Sequence, residues 1–404
     1  MNTQTKNVIS HLKNPAFYLV LLFLALLVVP AIVWDELSEE FRSKKLTNEN
    51  RAKDNKKPLL NFSDIQKYPK KFQRYYNDAF PFREYLVWSS KKVTAPVTNY
   101  YSPIVVTGKD GFLFYTNAME KYGDESKDFK EGCLWTHARV KRLVKQFDEI
   151  RKDLAEMGID FCMFIAPNKM TIYPDKLPEK RKYKRAEMLR AEQFIAYAKK
   201  YAPQLKVVFT ADVLSDLRKK VNYPLYYHED THWTELSAYA SVRELVMRVN
   251  GKKALPPLEK AKILPERSMR KGGDLTLMLG KENPPAYQYH IVHVPGMKKV
   301  TVKPPAWLPL DASELRRSRN PHAPDPRKVW VYRDSFTAAM EPYISMYFRE
   351  VDYFWFVPLR KIQFMGKNKP RLVIFQAVER NFQNIEKMDY FRKKRAKLEY
   401  FRDK

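Results

Sequence analysis

The stretch Lys328-Val329-Trp330-Val331-Tyr332-Arg333-Asp334-Ser335-Phe336-Thr337 decides the fold. Residues 328–332 are aromatic and β-branched, the composition of a strand. The chain then turns at Arg333, Asp334 and Ser335, and residues 337–348 read as a helix. A serine between a strand and a helix is where an exposed nucleophile is built. The helix start behind it offers free N–H groups and a positive dipole end, and both can stabilise an oxyanion. The plainer alternative is a serine that only caps its helix.

The same alternation extends outward. Residues 105–115 predict a hairpin, with Gly108 to Gly111 as its turn. Thr136 is placed to cap a helix whose apolar face is Val140, Leu143, Val144, Phe147, Ile150, Leu154 and Met157, and Gly158 ends it. Residues 159–166 follow as a buried strand, 184–200 as a helix and 207–209 as a strand. Residues 353–356 and 372–377 are further strands. There is no internal repeat. Strands alternating with helices predict an α/β fold with a mainly parallel sheet. In such sheets ligands sit beyond the carboxyl ends of the strands.

A second segment carries chemistry: Tyr227-His228-Glu229-Asp230-Thr231-His232-Trp233-Thr234. His228 to His232 fits the H-E-x-x-H zinc pattern, which needs a helix and a third ligand. Pro224 and three tyrosines just before it argue for a loop, with the next helix capped by Thr234. The competing reading pairs Asp230 with His232. A carboxylate two residues from an imidazole can hold its Nδ1 and leave Nε2 free to deprotonate a nucleophile. With Ser335 these make a possible triad, and no metal is then expected.

Composition bounds the setting. The chain has 404 residues, of which 45% are hydrophobic and 14% aromatic, enough for one large domain with appendages. Lys and Arg number 74 against 46 Asp and Glu, a formal charge of +28 that favours anionic partners. Two cysteines, Cys133 and Cys162, imply no disulfide framework, and Cys162 in its apolar run reads as a buried free thiol. Residues 16–34 carry no charge and are long enough for a transmembrane anchor. Lys6, His11 and Lys13 precede them; Asp35, Glu36, Glu39 and Glu40 follow. The positive-inside rule then puts residues 1–15 in the cytoplasm and the rest outside, in the periplasm or beyond. A cleaved signal peptide is the alternative, and it also exports the domain. Nucleic acid is therefore not an expected partner, despite basic runs such as Lys180 to Arg185. Residues 35–101 read as a charged stalk and helical lead-in, 102–390 as the catalytic domain and 391–404 as a basic tail.

The ordered motifs resemble the SGNH-hydrolase-like alginate O-acetyltransferase family. Asp230-Thr231-His232-Trp233-Thr234 is similar to its D-x-H-W element, and Asp334-Ser335-Phe336 to its serine turn. Tyr76-Asn77-Asp78-Ala79-Phe80-Pro81-Phe82-Arg83, Gly108 to Phe114, Ala166-Pro167-Asn168-Lys169 with Tyr173-Pro174-Asp175, Gly273-Asp274-Leu275 with Met278-Leu279-Gly280, and Glu379-Arg380-Asn381 are similar to further blocks. Many relatives have glycine where Arg333 stands. A separate carbohydrate-binding module is not expected in the 14 residues that follow residue 390.

The resemblance implies an SGNH-hydrolase-like (flavodoxin-like) three-layer fold behind one N-terminal transmembrane helix. It implies a Ser335–His232–Asp230 triad that acetylates an exported polysaccharide, anionic or neutral. Arg333, Phe336, Trp233 and Lys169 become candidates for substrate or oxyanion contacts. No cofactor is implied; the acyl group would come from an acetyl carrier or from a multi-pass membrane O-acyltransferase. An esterase with the same triad, or a non-catalytic glycan-binding subunit, are the competing expectations.

Overall fold

The computed structural model describes residues 15–33, 57–59, 62–79, 104–116, 125–178, 184–251, 255–279, 286–297, 300–303, 315–355, 369–382 and 385. The expected charged stalk up to residue 56, most of the lead-in, residues 80–83 of the entry block, Lys180 to Tyr183 and the basic tail lie outside them. The chain divides into two units, Met1–Asn99 and Tyr100–Lys404.

In the first unit, helix α1 spans Pro15–Val33. Its described side chains are exposed, Leu19 at 68% and Phe23 at 60%, although all are apolar. Nineteen residues rise about 28 Å, slightly under a hydrocarbon core of about 30 Å. Among the described residues no helix is long and apolar enough to cross a membrane. A 3₁₀ turn over Phe62–Lys67 leads into α2, Tyr68–Ala79. Tyr68, Phe72 and Tyr76, four apart, stack along one face of it at 5.9 and 6.1 Å.

The second unit holds a six-stranded sheet and two two-stranded sheets. Its elements run β1 (Val105–Thr107), β2 (Leu113–Tyr115), α3 (Glu125–Glu131), α4 (His137–Glu156), β3 (Asp160–Ala166), α5 (Lys169–Ile172), α6 (Arg190–Tyr201), β4 (Lys206–Phe209), α7 (Ala211–Lys220) and α8 (Glu235–Asn250). They continue with β5 (Lys262–Lys271), α9 (Asp274–Met278), β6 (Ala286–His293), β7 (Leu315–Arg319), β8 (Asp325–Arg333), α10 (Thr337–Tyr347), β9 (Phe348–Trp355), β10 (Leu372–Val378) and α11 (Glu379–Phe382). The sheet order is β4-β3-β10-β8-β9-β7, parallel throughout except for the antiparallel edge strand β7.

Both faces of the sheet are buried at its centre, where β3, β10 and residues 329–332 of β8 are apolar in near-continuous runs and not at alternate positions. Cys162, Phe164, Val329, Val331, Ile374 and Tyr353 face α8 and α10. Phe161, Met163, Trp330, Tyr332 and Phe375 face α4 and α6. The result is three layers, α/β/α. Thr136 accepts the Arg139 amide at 3.4 Å and starts α4; Gly158, at φ 71°, lets Ile159 N–H close the helix on Leu154 O at 2.9 Å.

Local chemistry explains the differences from the sequence reading. α6 begins at Arg190, where Glu192 accepts the Leu189 amide at 2.8 Å. β9 begins at Phe348, directly after α10, with no loop between. β7 reads Leu-Arg-Arg-Ser-Arg and carries no apolar alternation; Arg317 instead pairs with the buried Asp352 of β9. The antiparallel β5–β6 pair contains Pro265 and many charges, which also hide a strand. Both cysteines are free, and burial pushes the Cys162 thiol up to about 12.

Candidate active site

The site lies beyond the carboxyl end of β8. That strand delivers Arg333 and Asp334 into the turn, and Ser335 opens toward solvent, half-buried. Asp334 builds the turn: its Oδ1 accepts the Phe336 amide at 2.9 Å and its Oδ2 accepts the Val378 amide at 2.6 Å. Gln376 Oε1, from β10, accepts the Asp334 amide at 2.9 Å and the Thr337 hydroxyl at 2.8 Å. The serine turn is thus tied to the neighbouring parallel strand.

The partner segment, residues 227–234, is a turn and not a helix. Asp230 Oδ1 accepts the His232 amide at 2.9 Å and faces His232 Nδ1 at 2.6 Å. His232 Nε2 lies 2.7 Å from Ser335 Oγ. The turn therefore brings Asp230 and His232 against a serine 103 residues away in sequence. His228 is not with them. Its ring packs on Phe112 at 4.2 Å, and the two histidines share no helical face as the zinc pattern requires.

Electrostatics follow from this contact. Burial opposes the imidazolium, but the hydrogen bond and charge of Asp230, with the charge of Asp274, outweigh it and hold His232 above 6.5. Burial likewise raises the Asp230 carboxyl, yet its hydrogen bonds to His232 leave it below the ordinary carboxylate range.

The four residues expected to touch substrate are all buried, and each has partners within the protein. Trp233 is buried, donates Nε1–H to Phe336 O at 2.9 Å, and packs under the site rather than lining a groove. Phe336 is buried, its ring 5.1 Å from that of His232, and its amide donates to Asp334 Oδ1. Arg333 is buried and adds no exposed charge: it faces Glu341 of α10 at 3.3 Å and lies 4.7 Å over the Trp355 ring. Lys169 is buried, and its ammonium donates to the carbonyls of Leu113, Tyr227 and His228 at 2.7 Å each and of Asp230 at 3.1 Å. It clamps the histidine turn to the β1–β2 hairpin, helped by Leu113 N–H on His228 O at 2.8 Å.

Two residues without an assigned role in the sequence reading stand at the site. Asp274 lies against Asp230 and His232, and Arg380 lies 5.1 Å over the Phe336 ring. Gly273 makes the first approach possible: a Cβ there would sit 2.2 Å from Glu229 O. The only sequence signal was the glycine-aspartate pair itself.

The fold and this arrangement define an SGNH-hydrolase-like α/β protein. The chain matches the family described as the SGNH hydrolase-like domain of the acetyltransferase AlgX over residues 105–307, and it belongs to that family. Ser335 lies beyond the matched residues. Among solved structures it is similar to Bacillus cereus PatB1 with a sulfonyl adduct (14% identity, 69% of this chain and 97% of that one, TM-score 0.47). It is also similar to the O-acetyltransferase domain of Pseudomonas putida AlgJ (18%, 68% and 91%, 0.42) and to Pseudomonas aeruginosa AlgX (14%, 68% and 61%, 0.43). No curated protein matches the chain. Family membership rests on the first finding.

Proposed function

We propose that this chain is an extracytoplasmic O-acetyltransferase that moves an acetyl group onto hydroxyls of an exported polysaccharide. The observation that carries the reading is the continuous contact from Asp230 through His232 to Ser335, 2.6 and then 2.7 Å. Asp230 holds His232 in the tautomer with the proton on Nδ1. His232 Nε2 takes the Ser335 proton as Oγ attacks the acyl carbonyl carbon. The tetrahedral oxyanion forms at the serine turn, where the Ser335 amide is the donor, because the Phe336 amide is spent on Asp334. The donor's leaving group takes the proton from Nε2 and departs, leaving acetyl-Ser335. A sugar hydroxyl then attacks the ester, gives its proton to Nε2, and the proton returns to Ser335.

Transfer is preferred to hydrolysis because the family is one of acetyltransferases. Purified protein given a chromogenic acetyl ester is expected to acetylate an added oligosaccharide. Release of free acetate alone, at an unchanged rate with oligosaccharide present, would assign the chain as an esterase. Polysaccharide binding without any turnover would assign it as a binding subunit. The acyl donor in the cell would come from a membrane O-acyltransferase or an acetyl carrier, and the net charge of +28 favours an acidic acceptor.

The same proposal places the domain outside the cytoplasmic membrane. It rests on the basic residues before α1, the acidic ones after it, and the exposed apolar side chains of the helix. Protease added outside spheroplasts is expected to digest the domain; full protection would place it in the cytoplasm.

A further inference from the structure

His232 faces two carboxylates, not one. On the side of the imidazole away from Ser335, Nδ1 lies 2.6 Å from Asp230 Oδ1 and 3.7 Å from Asp274 Oδ2. The ligand-type atoms of all three side chains fall within 4.8 Å of one another. Asp274 opens α9, in a segment 44 residues from Asp230, and its own amide donates to Asp230 Oδ2 at 3.2 Å. Its carboxylate accepts the Thr231 amide at 2.7 Å and the Thr231 hydroxyl at 2.5 Å. Asp230, Thr231, His232 and Asp274 therefore close into one ring of hydrogen bonds and charge contacts. The Leu275 amide fastens it further, donating to Glu229 O at 3.2 Å.

Holding a turn does not require a second negative charge beside the first. Two carboxylates around one imidazole repel each other, and the arrangement costs energy unless the imidazolium repays it. That cation forms when Nε2 takes up a proton, from solvent at low pH or from the serine during attack. Asp274 is thus placed to act in the charged state of the base, as Asp230 is.

We propose, on the triad reading above, that Asp274 is a positioning residue that acts as a second carboxylate for His232. It holds the Thr231–His232 turn, shares the imidazolium charge with Asp230, and takes over part of that work when Asp230 is neutral. The charged groups around the imidazole are Asp230 on its own turn, Asp274 on α9 and Arg380 on α11, with Lys169 behind the turn on its carbonyls. Arg380 opposes the imidazolium and both carboxylates favour it. Removing the charge of Asp274 therefore lowers the pH at which His232 loses its proton.

The test is the pH profile of kcat/KM for a chromogenic acetyl ester, using the full chain and the variants D274N, D230N, D230N/D274N, T231V and S335A. D274N is expected to lose about ten-fold and to move the acid limb to lower pH. D230N is expected to lose about 10²-fold, and the double variant about 10⁴-fold, the scale of an imidazole with no carboxylate. That is ten-fold beyond the product of the single losses, the sign of a shared task. T231V loosens the turn but keeps the charge, so its acid limb should stay in place. An unmoved limb in D274N, an equal shift in T231V, or a double variant no worse than D230N would overturn the proposal. Undiminished turnover in S335A would instead overturn the triad on which it rests.

Discussion

Ser335→Ala is expected to lower acetyl transfer about 10⁴-fold or more while the protein stays folded. On the proposed mechanism the loss is large because the attacking oxygen itself is removed. Folding survives because the turn is built by other atoms. Asp334 takes the Phe336 and Val378 amides, and Gln376 takes the Asp334 amide. None of these involves the serine hydroxyl. The backbone at Ser335 also needs no left-handed conformation; among described non-glycine residues only Asp110 and Cys133 adopt one. Activity within ten-fold of the wild type, with an unchanged melting temperature, would refute the nucleophile assignment.

Lys169→Met is expected to cost both stability and activity. The ammonium is the common partner of four carbonyls, three of them in the turn that carries Asp230 and His232. Methionine fills a similar volume but donates nothing. The carbonyls would stay buried without their cation, a loss of roughly 3–5 kcal/mol on the scale of a broken buried charge contact. The turn would then relax away from Ser335, and kcat should fall with the melting temperature. A variant as stable and active as the wild type would show that the hairpin, through the Leu113 amide, holds the turn alone. Lys169→Arg is no rescue, because a planar fork cannot point at four carbonyls converging on one nitrogen.

The legible parts of this protein are the local ones. The strand–turn–helix around Ser335 could be read because apolar runs, a turn and a helix start follow one another within ten residues. Asp230 and His232 could be paired because two residues of separation already permit the contact. The core strands β3, β8 and β10 announce themselves by being apolar on both faces. β7 does not, since its stability comes from Arg317 reaching Asp352 on a neighbouring strand, which no periodicity records. The helix signal at Pro15–Val33 was equally plain in the sequence.

The site divides in the same way. The family resemblance offered Arg333, Phe336, Trp233 and Lys169 as substrate or oxyanion contacts. The fold turns each of them inward, and burial converts them into floor, tie and clamp. Asp274 went the opposite way, from a block quoted without a role to a contact with the His232 imidazole, because it reaches the site from a separate segment. By itself, then, the sequence determined the chemistry available: which residue types could form a base, its orienting carboxylate and a nucleophile, and on what kind of sheet. Only the tertiary structure decided which neighbours face that chemistry. Side-chain direction depends on packing between segments far apart in the chain, and no local pattern encodes it.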